Sequence, residues 1–140
     1  MCHESRRTYS ADSNTPNNAR HFCAKQLASA FDRTPDAQIL VEDVELVVSE
    51  LVTNAVEAGP TYVVLLLDIH RDHVRLAVTD SAAGVARKRT PGPDSESGRG
   101  LMIVDRLTRT WGVDYLDRGK RVWAELAVPR SLVLGFTCSH

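Results

Sequence analysis

Long apolar runs are what this sequence most lacks. The longest in its 140 residues, "YVVLLL" and "LVLGF", fall far short of the roughly 20 residues that a membrane-spanning helix needs. Excess charge of either sign is missing too. Seventeen Lys and Arg stand against 18 Asp and Glu, for a formal net charge of -1, so bulk electrostatics argue against a nucleic-acid or membrane surface. The opening "MCHESRRTYS" has no apolar stretch, which argues against a secretory leader. Cysteine is scarce: Cys2, Cys23 and Cys138 are odd in number and far apart, which suits reduced thiols in the cytoplasm. No GxxxxGK[ST] occurs, so a P-loop is excluded.

What remains is ordinary for one globular domain with one core, at 43% hydrophobic and 25% charged residues. Residues 1–14 are polar and read as a flexible tail, or as an edge strand through "RRTYS". "NTPNNARHFCAKQLASAF" reads as a helix, with Thr15 as cap, Pro16 in the first position and Phe22, Cys23, Leu27, Ala30 and Phe31 at helical spacing. "RTPDAQILVEDVELVVSELVTNAVE" repeats the device with Thr34 and Pro35. "TYVVLLLDI" reads as a buried strand. "HVRLAVTD" alternates, with Val74, Leu76 and Val78 on one face, and forms a hairpin with it. "GLMIVDRLTRTW" is expected to be a third helix, and "GVDYLD" with "RVWAELAV" a second hairpin around "RGK". Strands arriving in hairpin pairs predict an α+β fold of two layers, a mostly antiparallel sheet with helices on one face. The unpatterned stretch from Ser81 to Gly98 is long for a compact domain and reads as a lid. The domain spans 15–130, followed by a tail at 131–140.

Chemistry concentrates in three places. In "SELVTNAVEAG", Val44, Val47, Val48, Leu51 and Ala55 share the core face of the helix at about 100° per residue. Glu50 and Asn54, one turn apart, fall beside that stripe and can reach a common ligand. On its own, the pair is better explained as a solvated helix flank. Asp80 ends an apolar strand, where a carboxylate either starts a turn or accepts a hydrogen bond from a ligand's amino group. "SGRGLMIV" puts Gly98 and Gly100 at a helix start, where backbone N–H groups approach an anion closely, with Arg99 as a fixed cation. His70 and His73 flank a strand turn and lack the further ligands a metal site needs. The run Arg87–Arg89 reads as a solvated lid, or as a contact for phosphates or a partner.

Together and in this order, "SELVTNAV", "VTDSAAG", "SGRGL" and "WGVDYL…KRVWAEL" resemble the ATP-binding domain of the GHKL superfamily over roughly residues 16–129. Within it the chain is most similar to the small bacterial anti-sigma-factor serine kinases. The resemblance implies ATP and Mg²⁺ as ligands. It implies that Asn54 holds Mg²⁺, that Glu50 acts as general base toward a serine hydroxyl, and that Asp80 accepts from the adenine amino group. It also implies that Gly84 lets the adenine approach, that Gly98, Arg99, Gly100 and Leu101 cradle the phosphates, and that 85–97 closes as a lid. The implied partners are a sigma factor, an antagonist protein that receives the phosphoryl group, and a second copy in a homodimer. The alternative is a non-catalytic ATP-binding module that switches partners. The chain departs from the family pattern at Ala82, where a glycine is usual, and at Arg121, where relatives carry a small hydroxyl residue. Arg121 is expected to pair with Asp80.

Overall fold

The computed structural model describes residues 3–81 and 96–133; for 96–99 it describes the helical backbone and not the side chains. The elements run β1 (His3–Ser10), α1 (Thr15–Ala30), α2 (Pro35–Glu57), β2 (Tyr62–Ile69), β3 (His73–Asp80), α3 (Glu96–Leu107), β4 (Thr110–Tyr115), β5 (Lys120–Ala127) and α4 (Arg130–Val133). The five strands form one sheet in the order β1-β2-β3-β5-β4, and every neighbouring pair is antiparallel. This is the α+β architecture that the hairpin pairs predict.

α2 forms where its ends and its stripe agree. The Thr34 side chain accepts the N–H of Ala37 at 3.1 Å, Pro35 occupies the first turn and Asp36 adds negative charge there. The helix stops at Gly59, which adopts the left-handed φ of 78° that a side chain would strain. All five stripe residues, Val44, Val47, Val48, Leu51 and Ala55, are buried. They lie over the sheet, where α2 crosses β2, β3 and β5. The period of two then sorts each strand. Val63, Leu65, Leu67 and Ile69, then Val74, Leu76 and Val78, then Val122, Ala124 and Leu126 face the helices and are all buried. The opposite face keeps Val64, Leu66 and Trp123 half-buried among charges.

Two local expectations change. Thr15 is not the cap of α1; Asn14 holds that position without a side-chain bond. The Thr15 hydroxyl instead donates to the Ser10 carbonyl at 2.8 Å and accepts the Asp12 N–H at 3.0 Å. It is buried, so it fastens the β1–α1 turn where those backbone groups have no water. The third helix runs from Glu96 to Leu107 rather than from Gly100 to Trp111. It ends where Arg109 N–H bonds the Glu125 carbonyl at 2.7 Å and starts the β4–β5 ladder. Trp111 therefore lies in β4, and its indole N–H donates back to Asp105 of α3 at 3.0 Å.

Candidate functional site

Glu50 and Asn54 lie half-buried on α2, beside the buried stripe. The first turns of α3 come down on this flank, and Gly100 is the reason they can. A Cβ at Gly100 would run into the Glu50 carboxylate through Oε2, with Cδ 3.3 Å away. Gly100 is buried and Leu101 half-buried. Because α3 opens at Glu96, Gly98, Arg99 and Gly100 belong to its first turns rather than to a loop ahead of it. The last residues of the stretch expected as a lid are thus the start of that helix. The unpaired N–H groups of a helix start, joined to its positive dipole end, form an anion-binding surface. Glu50 itself meets the helix one turn further in, at Gly100. The side chain of Arg99, Gly84, Ala82, the run Arg87–Arg89 and the remainder of the expected lid lie outside the described residues.

Asp80 is the last residue of β3 and is only 2% exposed. Its partner differs from the expected one. The Lys120 ammonium lies 3.3 Å from Asp80 Oδ2. Arg121 pairs instead with Asp114, its Nε and Nη2 donating to Oδ2 at 3.2 and 3.0 Å. Strand alternation explains the exchange. Val122 and Ala124 point to the helices, so Lys120 points there too, on the face of Asp80. Arg121 points to the other face, with Thr79 and Asp114 as its register neighbours. The same alternation was readable in "GKRVWAEL", and it would have identified Lys120. Gly119 completes the arrangement. It has φ 85°, and a Cβ there would lie 2.7 Å from Asp80 Oδ1 and would strike the Asp80 carbonyl as well. The β4–β5 turn is therefore seated on the end of β3. Beyond Asp80, the Ser81 hydroxyl donates to the Tyr62 carbonyl at 3.0 Å and fixes the chain's exit from the sheet.

These residues fit a nucleotide with a divalent cation. A buried carboxylate can accept from an amino group, and a glycine leaves a helix start bare for phosphate. Among the described residues no group of three or more His, Cys, Asp and Glu could hold a metal. Mg²⁺ would therefore depend on the Asn54 oxygen plus phosphate and water oxygens, a set that this cation commonly accepts.

Other candidates are quieter. His70 and His73 stack with ring centroids 4.3 Å apart, and His73 Nδ1 lies 2.8 Å from Asp72 Oδ1. Burial and the neighbouring His73 lower the pKa of His70. The pair is part of the β2–β3 turn, as its position in the sequence suggests. Cys23 is buried in the core, and burial, aided by Glu45, pushes its thiol up to about 12. At neutral pH it is not a nucleophile. No helix of the described residues is long and apolar enough to cross a membrane.

The family model of the histidine kinase-like ATPase domain matches residues 10–126. That span takes in α1 through all but the last residue of β5, and every site residue named above. No curated protein matches the chain significantly.

Proposed function

The chain belongs to the histidine kinase-like ATPase domain family, and from that premise we propose that it is an ATP-binding regulator with protein serine kinase activity. Its substrate would be an antagonist protein of the anti-sigma-factor type, and its second partner a sigma factor. The observation that carries this reading is the seating of Glu50 against Gly100. Binding ATP does not require a carboxylate at the phosphate end of the site, whereas transferring phosphate to a serine is helped by one.

In this reading each residue has one task. Asp80 accepts from the base. The start of α3 holds the phosphates through its unpaired backbone N–H groups, those ahead of Gly100 and Leu101, with Arg99 as the cation and Gly100 leaving room for Glu50. Asn54 holds Mg²⁺, which supplies charge neutralisation at the phosphates. Glu50 accepts the hydroxyl proton as the serine oxygen bonds to the γ-phosphorus, while the bond from that phosphorus to the β–γ bridging oxygen breaks and ADP leaves. Gly84 and the segment after it would complete the base pocket.

The test is direct. Purified protein is titrated with ATP with and without Mg²⁺, and compared with Asp80→Asn. Mg²⁺-dependent affinity in the micromolar range, lost in the variant, is the expected result. Undetectable binding at millimolar ATP would reject the reading. Labelled ATP with an antagonist carrying an acceptor serine then examines transfer. Binding without any labelled antagonist would leave the non-catalytic partner-switching module. Homodimer formation through the exposed edge of β1 belongs to the same proposal. Light scattering that shows a strict monomer at high concentration would count against it.

A further inference from the structure

We propose that Lys120 is a base-reading residue, and that the Asp80–Lys120 pair admits 6-oxopurine nucleotides as well as 6-aminopurine ones. The inference rests on the nucleotide-site reading above and goes beyond it to the choice of base. A carboxylate as buried as that of Asp80 (2% exposed) is stable only with a compensating charge. Lys120 supplies such a charge, and its side chain remains a quarter exposed, at 25%. The ammonium has three donors and lies 3.3 Å from Asp80 Oδ2 as an ion pair. The carboxylate only accepts. An acceptor and a cationic donor therefore stand side by side.

That pairing matters because purines differ at position 6. Adenine offers an amino donor beside the N1 acceptor. Guanine offers a carbonyl acceptor beside the N1–H and 2-amino donors. A carboxylate alone suits the amino group and turns lone pairs against lone pairs when it meets the 6-carbonyl. With Lys120 alongside, the carbonyl takes the ammonium while N1–H and the 2-amino group donate to Asp80. Adenine needs only the acceptor, placing its amino group on Asp80. The fold delivers this cation and not its neighbour, because Asp114 holds Arg121 on the far face of the sheet. Gly119 lets the turn approach closely enough for the contact. The flexible lysine stem can swing toward a 6-carbonyl or away from a 6-amino group as the base changes.

The experiment titrates the full chain with ATP and with GTP, both with Mg²⁺, for wild type, Lys120→Met and Lys120→Arg, with thermal melts as folding controls. Wild type is expected to bind both nucleotides. In Lys120→Met the affinity for GTP relative to ATP should fall by roughly tenfold to a hundredfold, the worth of one charged hydrogen bond. Lys120→Arg, which restores a cationic donor, should recover most of that ratio. Wild type that binds ATP and rejects GTP overturns the inference and leaves the ATP-site reading intact. So does a ratio unchanged in Lys120→Met, including the case where both affinities rise because lysine only blocks the site. Failure of wild type to bind either nucleotide overturns both readings.

Discussion

The Glu50 carboxylate lies against the α-carbon of Gly100, in the space where any larger residue would put its Cβ. This contact joins the flank of α2 to the first turns of α3, and it sets the first prediction. Alanine is a better helix former than glycine by about 1 kcal/mol. The obstructing atom at Gly100 is the tip of a flexible side chain, which can swing aside. Gly100→Ala should therefore change stability by no more than about 1 kcal/mol in a urea melt. Phosphoryl transfer should fall by roughly a hundredfold, because the displaced carboxylate no longer meets the acceptor. A large loss of stability with transfer intact would mean that the contact is structural only.

Glu50 and Asn54 should fail differently when replaced. Glu50→Gln keeps shape and hydrogen bonding and cannot take a proton, so ATP should still bind while transfer falls roughly 10²–10⁴-fold. Asn54→Ala removes the oxygen proposed to hold Mg²⁺, so the Mg²⁺-dependent part of ATP affinity should fall together with transfer. Calorimetric titration beside a labelling assay separates the two. Both side chains sit beside the buried stripe, so thermal melts should remain close to wild type.

Gly119 differs from Gly100 in what it touches. Its obstacle is the backbone carbonyl of Asp80, which cannot swing aside, and its φ of 85° already excludes most side chains at low cost. Gly119→Ala should cost about 1–2 kcal/mol from the left-handed conformation alone, and more from the clash. Its nucleotide affinity should also drop, because the β4–β5 turn and Lys120 must retreat from Asp80. Denaturant melts and nucleotide titration on the same preparation check both effects.

Asp68 gives a pH signature unrelated to the site. It is 7% exposed on the sheet face away from the helices, and its Oδ1 has no hydrogen-bond donor. Burial raises its pKa, and so does Glu4, its register neighbour on β1; Arg75 on β3 and His70 in the turn oppose the rise. A carboxyl whose folded pKa lies above its unfolded value carries no penalty at low pH, where both states are protonated. It destabilises the fold increasingly as pH rises through the ordinary aspartate range to the raised folded value. Asp68→Asn should therefore raise the melting temperature by a few degrees at neutral pH, and the gain should vanish as pH falls through that window. Thermal melts from pH 3 to 8 measure it. A gain that persists at the acid end would show that ionisation is not the cause.

Much of this architecture was legible in the sequence, and the physics says where legibility stops. α2 is written locally: Thr34, Pro35 and the stripe from Val44 to Ala55 specify a capped amphipathic helix, and placing Glu50 and Asn54 beside the stripe needs only the helical period. The hairpins follow from alternating strands around polar turns. The end of α3 is different. "TRTW" continues a helical pattern well enough, but the ladder to Glu125, far along the chain, takes Arg109 out of the helix. Thr15 is similar: as a lone residue it reads as a cap, and only the approach of the β1 carbonyl at Ser10 recruits its hydroxyl elsewhere. At Asp80 the alternation of β5 already pointed Lys120 inward. That β5 lies beside β3, in the register that sets Arg121 opposite Thr79, is a non-local choice made by burying Val122, Ala124 and Leu126 beneath α2. Sequence determined which residues face the core, because alternation and helical period are local properties of the chain. Tertiary structure decided which cation reaches the buried carboxylate, because strand order and register are settled only when the whole apolar face closes.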